Sequence, residues 1–170
     1  LYEGIISLVW LGITWRSGAW REWRSFYSTI LYYIIGDLLY NFVYYQHPLW
    51  TYGSSMPVPS HTWTNLWYTF FIVPLHLLNF LYFFPKSRGK AILYILAWAS
   101  FYFALESLFK SLGYFYHAHG WNVGWSFAFN LMLFSMVRLH FVNPLLAWGI
   151  QAVIMLLFWS VFPVPRAYIK

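Results

Sequence analysis

Of 170 residues, 61% are hydrophobic and only 8% charged, against about 45–50% and about 25% in soluble domains, so a water-facing globule is excluded. Ten Lys and Arg outnumber four Asp and Glu to give a net charge of +6, but they are scattered between apolar stretches and form no continuous stripe for nucleic acid. With no Cys in the chain, disulfides, Fe–S clusters and thiolate chemistry are excluded as well.

A helix crossing a hydrocarbon core of about 30 Å needs about 20 mostly apolar residues. Six stretches are candidates, five of them clear and the first short. It covers 1–15 and leads into "RSGAWREWRS". The second, 26–46, contains "YYIIGDLLYNFVYY". Counted from Phe26 at the helical rise, Asp37 lies about 16 Å along it, near the bilayer midplane. Asn41 follows one turn later on the same face, flanked by Tyr33, Tyr40 and Tyr44. A Pro-rich loop with His47 and His61 comes next; its "YGSS" reads as a turn, since no G-x-S-x-G elbow accompanies it.

The third stretch, 63–84, carries His76 and Asn79, with Pro74 as a predicted kink. After "PKSRGK", the fourth, 91–112, places Glu106 one turn before Lys110, the spacing of a helical ion pair. A loop with His117 and His119 leads to the fifth, 122–141, where Asn122, Ser126 and Asn130 recur every four residues and Arg138 and His140 close the far end. A turn around "FVNP" then opens the sixth, 144–162.

The expected architecture is therefore all-α, a polytopic transmembrane helical bundle of about six spans forming one integral membrane domain over 1–170. If the helices alternate, Arg16, Arg21, Arg24, Lys86, Arg88, Lys90 and Arg138 fall on one side, and Lys110, Arg166 and Lys170 on the other. The positive-inside rule then makes loops 16–25 and 85–90 cytoplasmic in a cell membrane. Trp15, Trp20, Trp23, Trp50, Trp63, Trp67, Trp121 and Trp125 sit near predicted boundaries, where indole rings anchor at headgroup level.

Depth counting gathers Asp37, Asn41, Glu106 and Asn130 into one polar layer from three helices. Intramembrane ionisable residues mark ion or substrate pathways, and the same groups also serve as hydrogen-bonding glue between helices. Arg138 either snorkels to the inner headgroups or binds an anionic group. His47, His61, His117 and His119 share the outer loops, and neutral imidazoles there, with Glu106 near the rim, are candidate metal ligands. No full metal signature accompanies them, and no cofactor is expected beyond such an ion.

The order "GDLLYN" (Gly36 to Asn41), Glu106, "HGWN" (His119 to Asn122), Asn130, "RLH" (Arg138 to His140) and "PLLAW" (Pro144 to Trp148) resembles a family of small multi-spanning membrane proteins of spore-forming Gram-positive bacteria. The resemblance covers about residues 26 to 148. It implies a plasma-membrane helical bundle and draws attention to Asp37, Asn41, Glu106, Asn130 and Arg138, but it brings no established activity. The expected function is a non-enzymatic bundle that binds or conducts a small ligand or ion, or an accessory subunit beside partner membrane proteins. The alternative is a membrane-embedded enzyme whose outer histidines hold a metal that activates water.

Overall fold

The computed structural model describes residues 2–53 and 60–168. Leu1, the serines of "YGSS" and Lys170 lie outside the described residues. The chain is mostly helical. Helix α1 is Tyr2–Ser17 and α2 is Trp23–Val43; α3 (His61–Trp67), a π-helical segment (Tyr68–Ile72) and α4 (Val73–Tyr82) form one continuous rod. Helices α5 (Arg88–Ser111), α6 (Val123–Val142) and α7 (Pro144–Val161) complete the set. The rods begin and end within about three residues of the six predicted stretches, an ordinary boundary error.

Local chemistry sets these ends. Ser60, Asn122 and Asn143 cap α3, α6 and α7, each side-chain oxygen accepting backbone N–H groups of the first turn. Pro144 follows Asn143 at the first position of α7, where its missing N–H costs nothing. At the end of α5, Gly113 takes φ +75°, letting Tyr114 N–H reach the Phe109 carbonyl at 2.8 Å and Gly113 N–H reach Lys110 at 3.1 Å. That paired closure needs a left-handed residue, which glycine adopts without a Cβ penalty.

Two features depart from the sequence reading. The all-α expectation is broken by a small antiparallel sheet, in which β1 (Trp50–Tyr52) pairs with β2 (Phe115–His117) in the register Trp50↔His117, Thr51↔Tyr116 and Tyr52↔Phe115. Both segments are rich in the aromatic residues that favour strands, and both connect helices at the same end of the bundle. Secondly, the kink expected at Pro74 takes the form of the preceding π segment. Pro74 lacks the N–H that Phe70 would need, and its ring crowds that carbonyl, so the turn widens instead of breaking.

Helices α5, α6 and α7 are long and apolar enough to cross a membrane. Helix α2 has the length, at 21 residues, but its Tyr, Asp and Asn dilute its apolar character, and α1 has only 16. Helix α6 packs against α5, α7 and α2, while α4 packs against α1 and α2. The outer surface is apolar: Leu145 is 85% exposed and Phe42 73%, which suits lipid contact.

The bundle has a basic end, which carries Arg16, Arg21 and Arg24 on the α1–α2 side, Lys86 between α4 and α5 and Arg88 at the start of α5, and a strand end, where the sheet lies. Toward the basic end, Phe26, Leu77, Phe80, Leu81, Phe134 and Val137 form a close-packed core. Polar ties reinforce it. Asn79 donates to Thr14 Oγ1 at 2.6 Å and accepts from Ser17 at 3.2 Å, pinning α1 to α4. His140, at the far end of the fifth stretch, is buried: its Nδ1 lies 3.0 Å from Thr29 Oγ1, and its ring stacks on Tyr32 at 4.3 Å.

Candidate functional site

Toward the strand end the helices separate around a cavity of about 280 Å³. Helix α2 supplies Gly36, Asp37 and Tyr40, the π segment Thr69, α5 Tyr102 and Glu106, α6 Ser126 and Asn130, and α7 Gln151. The strands roof it with Trp50, Tyr52 and Phe115. The expected polar layer thus exists in part: Asp37, Glu106 and Asn130 border one space. Asn41 does not line it, and neither does Arg138.

Of the predicted layer only Asn41 bonds Asp37; the other two partners, Thr69 and Asn65, come from outside it. Its Oδ2 accepts from Thr69 Oγ1 at 2.6 Å, Asn65 Nδ2 at 3.1 Å and Asn41 Nδ2 at 3.2 Å. Thr69 also lies 2.8 Å from the Asn65 carbonyl. Its hydroxyl holds one proton and serves one acceptor at a time. With Asp37 ionised, Thr69 donates to the carboxylate; with Asp37 protonated, the carboxyl donates to Thr69, whose own proton turns to Asn65. The charge state of Asp37 is thereby linked to a rotor seated on the widened turn. Asn65 and Thr69 escaped the sequence reading, although their four-residue spacing is the signal that picked out Ser126 and Asn130.

Glu106 and Lys110, predicted to pair directly, are bridged by a histidine. His117 Nε2 stands 2.7 Å from Glu106 Oε1, and Lys110 Nζ 3.1 Å from His117 Nδ1. The ammonium donates to Nδ1, so the ring proton sits on Nε2 and is given to the carboxylate. Strand pairing places His117 opposite Trp50, and this brings the ring back over α5. Asn122, the first member of the predicted polar ridge, caps α6 instead of facing inward, and Asn130 Nδ2 donates to the Ser126 carbonyl at 2.9 Å.

The four outer histidines do not converge. His47 and His119 face each other with ring centroids 3.4 Å apart, and His119 Nδ1 lies 2.8 Å from the Pro48 carbonyl. His61 Nδ1 accepts the Tyr52 N–H at 3.1 Å, while His117 turns to Glu106. The chain bends after β2, with His119 at φ +51°, so the two rings of "HAH" part company. Among the described residues no three His, Asp or Glu side chains form a metal-binding group. Burial lowers the His61 pKa below the ordinary 6.5, and burial with the facing His119 does the same for His47.

Arg138 is at the basic end, with its guanidinium 4.3 Å from the Phe84 ring centroid and 5.5 Å from that of Phe141. This is cation–π packing outside the cavity. Trp50 and Trp121, predicted as interface anchors, turn inward to line the cavity. Trp67 ties α3 to α1 by donating to Ser7 Oγ at 3.0 Å, whereas Trp63 is 65% exposed on the outer surface.

Comparisons with protein-family models, curated proteins and solved structures return no match to this chain.

Proposed function

We propose that this chain is a six-span membrane protein that holds a small ligand in the cavity at its strand end, working alone or as an accessory subunit of a membrane assembly. The carrying observation is the cavity of about 280 Å³ with Asp37 in its wall. A bundle that fills its other end with Phe80 and Phe134 has the side chains to fill this one too. Its low-exposure aromatic core beneath the cavity favours binding over an open conduit. The motif order from "GDLLYN" to "PLLAW" supports membership of the Gram-positive family it resembles, and the basic-residue count supports cytoplasmic loops at 16–25 and 85–90.

Gly36 provides the test. It borders the cavity, and a Cβ built there would meet no atom within 4 Å. Gly36→Leu therefore starts its side chain in open space and extends it into the cavity. The variant is expected to fold in lipid nanodiscs with unchanged helicity and to lose binding in a small-molecule screen by ligand-observed NMR. Equal binding by variant and parent would sink the cavity reading. Protease access to tags inserted in 16–25 and 85–90 tests the topology.

A further inference from the structure

We infer that the ligand is a small organic cation, an alkyl- or arylammonium ion whose charge lies beside Asp37 and whose body lies against aromatic ring faces. This rests on the cavity's being a ligand site.

The first observation is a segregation of charge. The chain carries ten Lys and Arg against four Asp and Glu, yet none of the described Lys and Arg lines the cavity, while two of the four acids, Asp37 and Glu106, do. A strongly basic protein thus presents an acidic interior. An anion placed there meets carboxylates and no described cationic side chain. A neutral guest leaves an ionised Asp37 with hydrogen bonds but no counter-charge, which is costly at membrane depth. A cation supplies the missing counter-charge.

The second observation is the wall. Trp50, Tyr52 and Tyr68 border the cavity; Tyr52 stacks on Tyr68 at 5.3 Å and 2°, and Trp50 is backed by Tyr40 at 4.3 Å and 6°, itself stacked on Tyr44 at 5.1 Å. These rings are held by one another before any ligand arrives, and the Tyr40 hydroxyl is further pinned by the Leu49 N–H at 3.0 Å. Preset aromatic faces attract organic cations through their quadrupoles, most strongly where water is excluded.

An inorganic cation is poorly served here. Hard cations collect about six or more oxygens, whereas two of the few carboxylate oxygens bordering this cavity are already engaged, Asp37 Oδ2 by three donors and Glu106 Oε1 by His117. A third observation concerns His76, which lines the cavity at 3% exposure and has an Nε2 without a partner among the described residues. Its Nδ1 is engaged with the Tyr102 hydroxyl. When Nδ1 carries the ring proton, Nε2 offers a lone pair, the complement of an ammonium N–H.

The experiment uses the full chain in nanodiscs and three probes of similar shape and different charge: phenethylammonium, 2-phenylethanol and 3-phenylpropionate, titrated by calorimetry at constant ionic strength. Phenethylammonium is expected to bind at least about tenfold more tightly than the alcohol, because aromatic faces attract a desolvated cation, and the carboxylate not at all. Asp37→Asn should weaken the ammonium at least about tenfold while leaving the alcohol unchanged. Should that variant fail to fold, Tyr68→Leu should weaken the ammonium at least about threefold, and Tyr68→Phe, which keeps the ring, should restore it. Equal affinity for ammonium and alcohol, both abolished by Gly36→Leu, would overturn the cation assignment while the cavity reading stands. Competition by sodium at matched ionic strength would also overturn it, in favour of an inorganic ion. Binding of none of the probes overturns the assignment. If, in addition, Gly36→Leu leaves screened ligand binding unchanged, the cavity reading falls with it.

Discussion

The two ends of this bundle are built from the same helices to opposite effect. At the basic end, Leu77, Phe80 and Phe134 have no exposed surface, and the rings of Phe80 and Phe134 meet at 5.0 Å. At the strand end, α2 and α6 present Asp37, Tyr40, Ser126 and Asn130 to open space. The difference begins with side-chain size and polarity along single helices. Helix α4 turns Leu77, Leu78, Phe80 and Leu81 inward, whereas the segment before it offers Asn65 and Thr69, which are small and hydrogen-bonding. The π segment marks the changeover, because the extra residue in its turn shifts the face that α3 presents relative to α4.

Truncation separates the two ends most sharply. Phe80→Ala or Phe134→Ala should cost about 3–5 kcal/mol of stability, measured by denaturant unfolding in micelles. Phe129→Ala, on the cavity wall, should cost clearly less, because the space it vacates already adjoins a void. Equal losses would erase the distinction between packed and open ends.

Asp37→Leu is expected to have the next largest effect. It strands the Asn65 amide and removes one acceptor of Thr69, at about 1–3 kcal/mol for each buried group left unsatisfied. Asp37→Asn, which keeps an oxygen in place, should lose less stability. If Leu is tolerated as well as Asn in thermal unfolding, the contacts to Oδ2 carry no structural weight.

A smaller change in the opposite direction is expected from Gly36→Ala. Glycine inside a helix is unfavourable by roughly 0.5–1 kcal/mol relative to alanine, and the added methyl meets nothing within 4 Å. The variant should therefore unfold later than the parent. Destabilisation would show that the cavity wall is tighter than the geometry indicates.

The smallest effect concerns pH. His61 has a folded pKa below 6.5, so the unfolded chain binds the proton more readily, and the contribution of this histidine is present above about pH 6.5 and lost as pH falls below it. Protonation also removes the lone pair that accepts the Tyr52 N–H. Amide exchange at Tyr52 should accelerate as pH drops from 7 toward 5, after correction for the intrinsic rate, and His61→Phe should flatten that response. An unchanged profile in the variant would remove His61 from the account.

Much of the helical layout was legible in the sequence because its signals are local. Apolar runs of sufficient length, the caps Ser60, Asn122 and Asn143, and Gly113 after α5 act within a few residues of themselves. The site was legible only in part. Depth counting brought Asp37, Glu106 and Asn130 to one space, since rise per residue converts position into height. It left Asn41 outside the cavity, though bonded to Asp37, because height says nothing of which way a side chain points about the helix axis, and the four-residue ridge read from Asn122 misses that Asn122 caps α6.

Composition and pattern alone therefore determined an apolar, aromatic helical chain, the approximate ends of its rods and the rarity of its buried acids. Tertiary structure decided partnership. Thr69 and Asn65 reach Asp37 because the π segment rotates one helix against another, and His117 reaches Glu106 because two distant loops pair as strands. Trp50 and Trp121 turn inward with the same sheet. Such contacts depend on the rotation and packing of whole elements, which no short stretch of sequence encodes by itself.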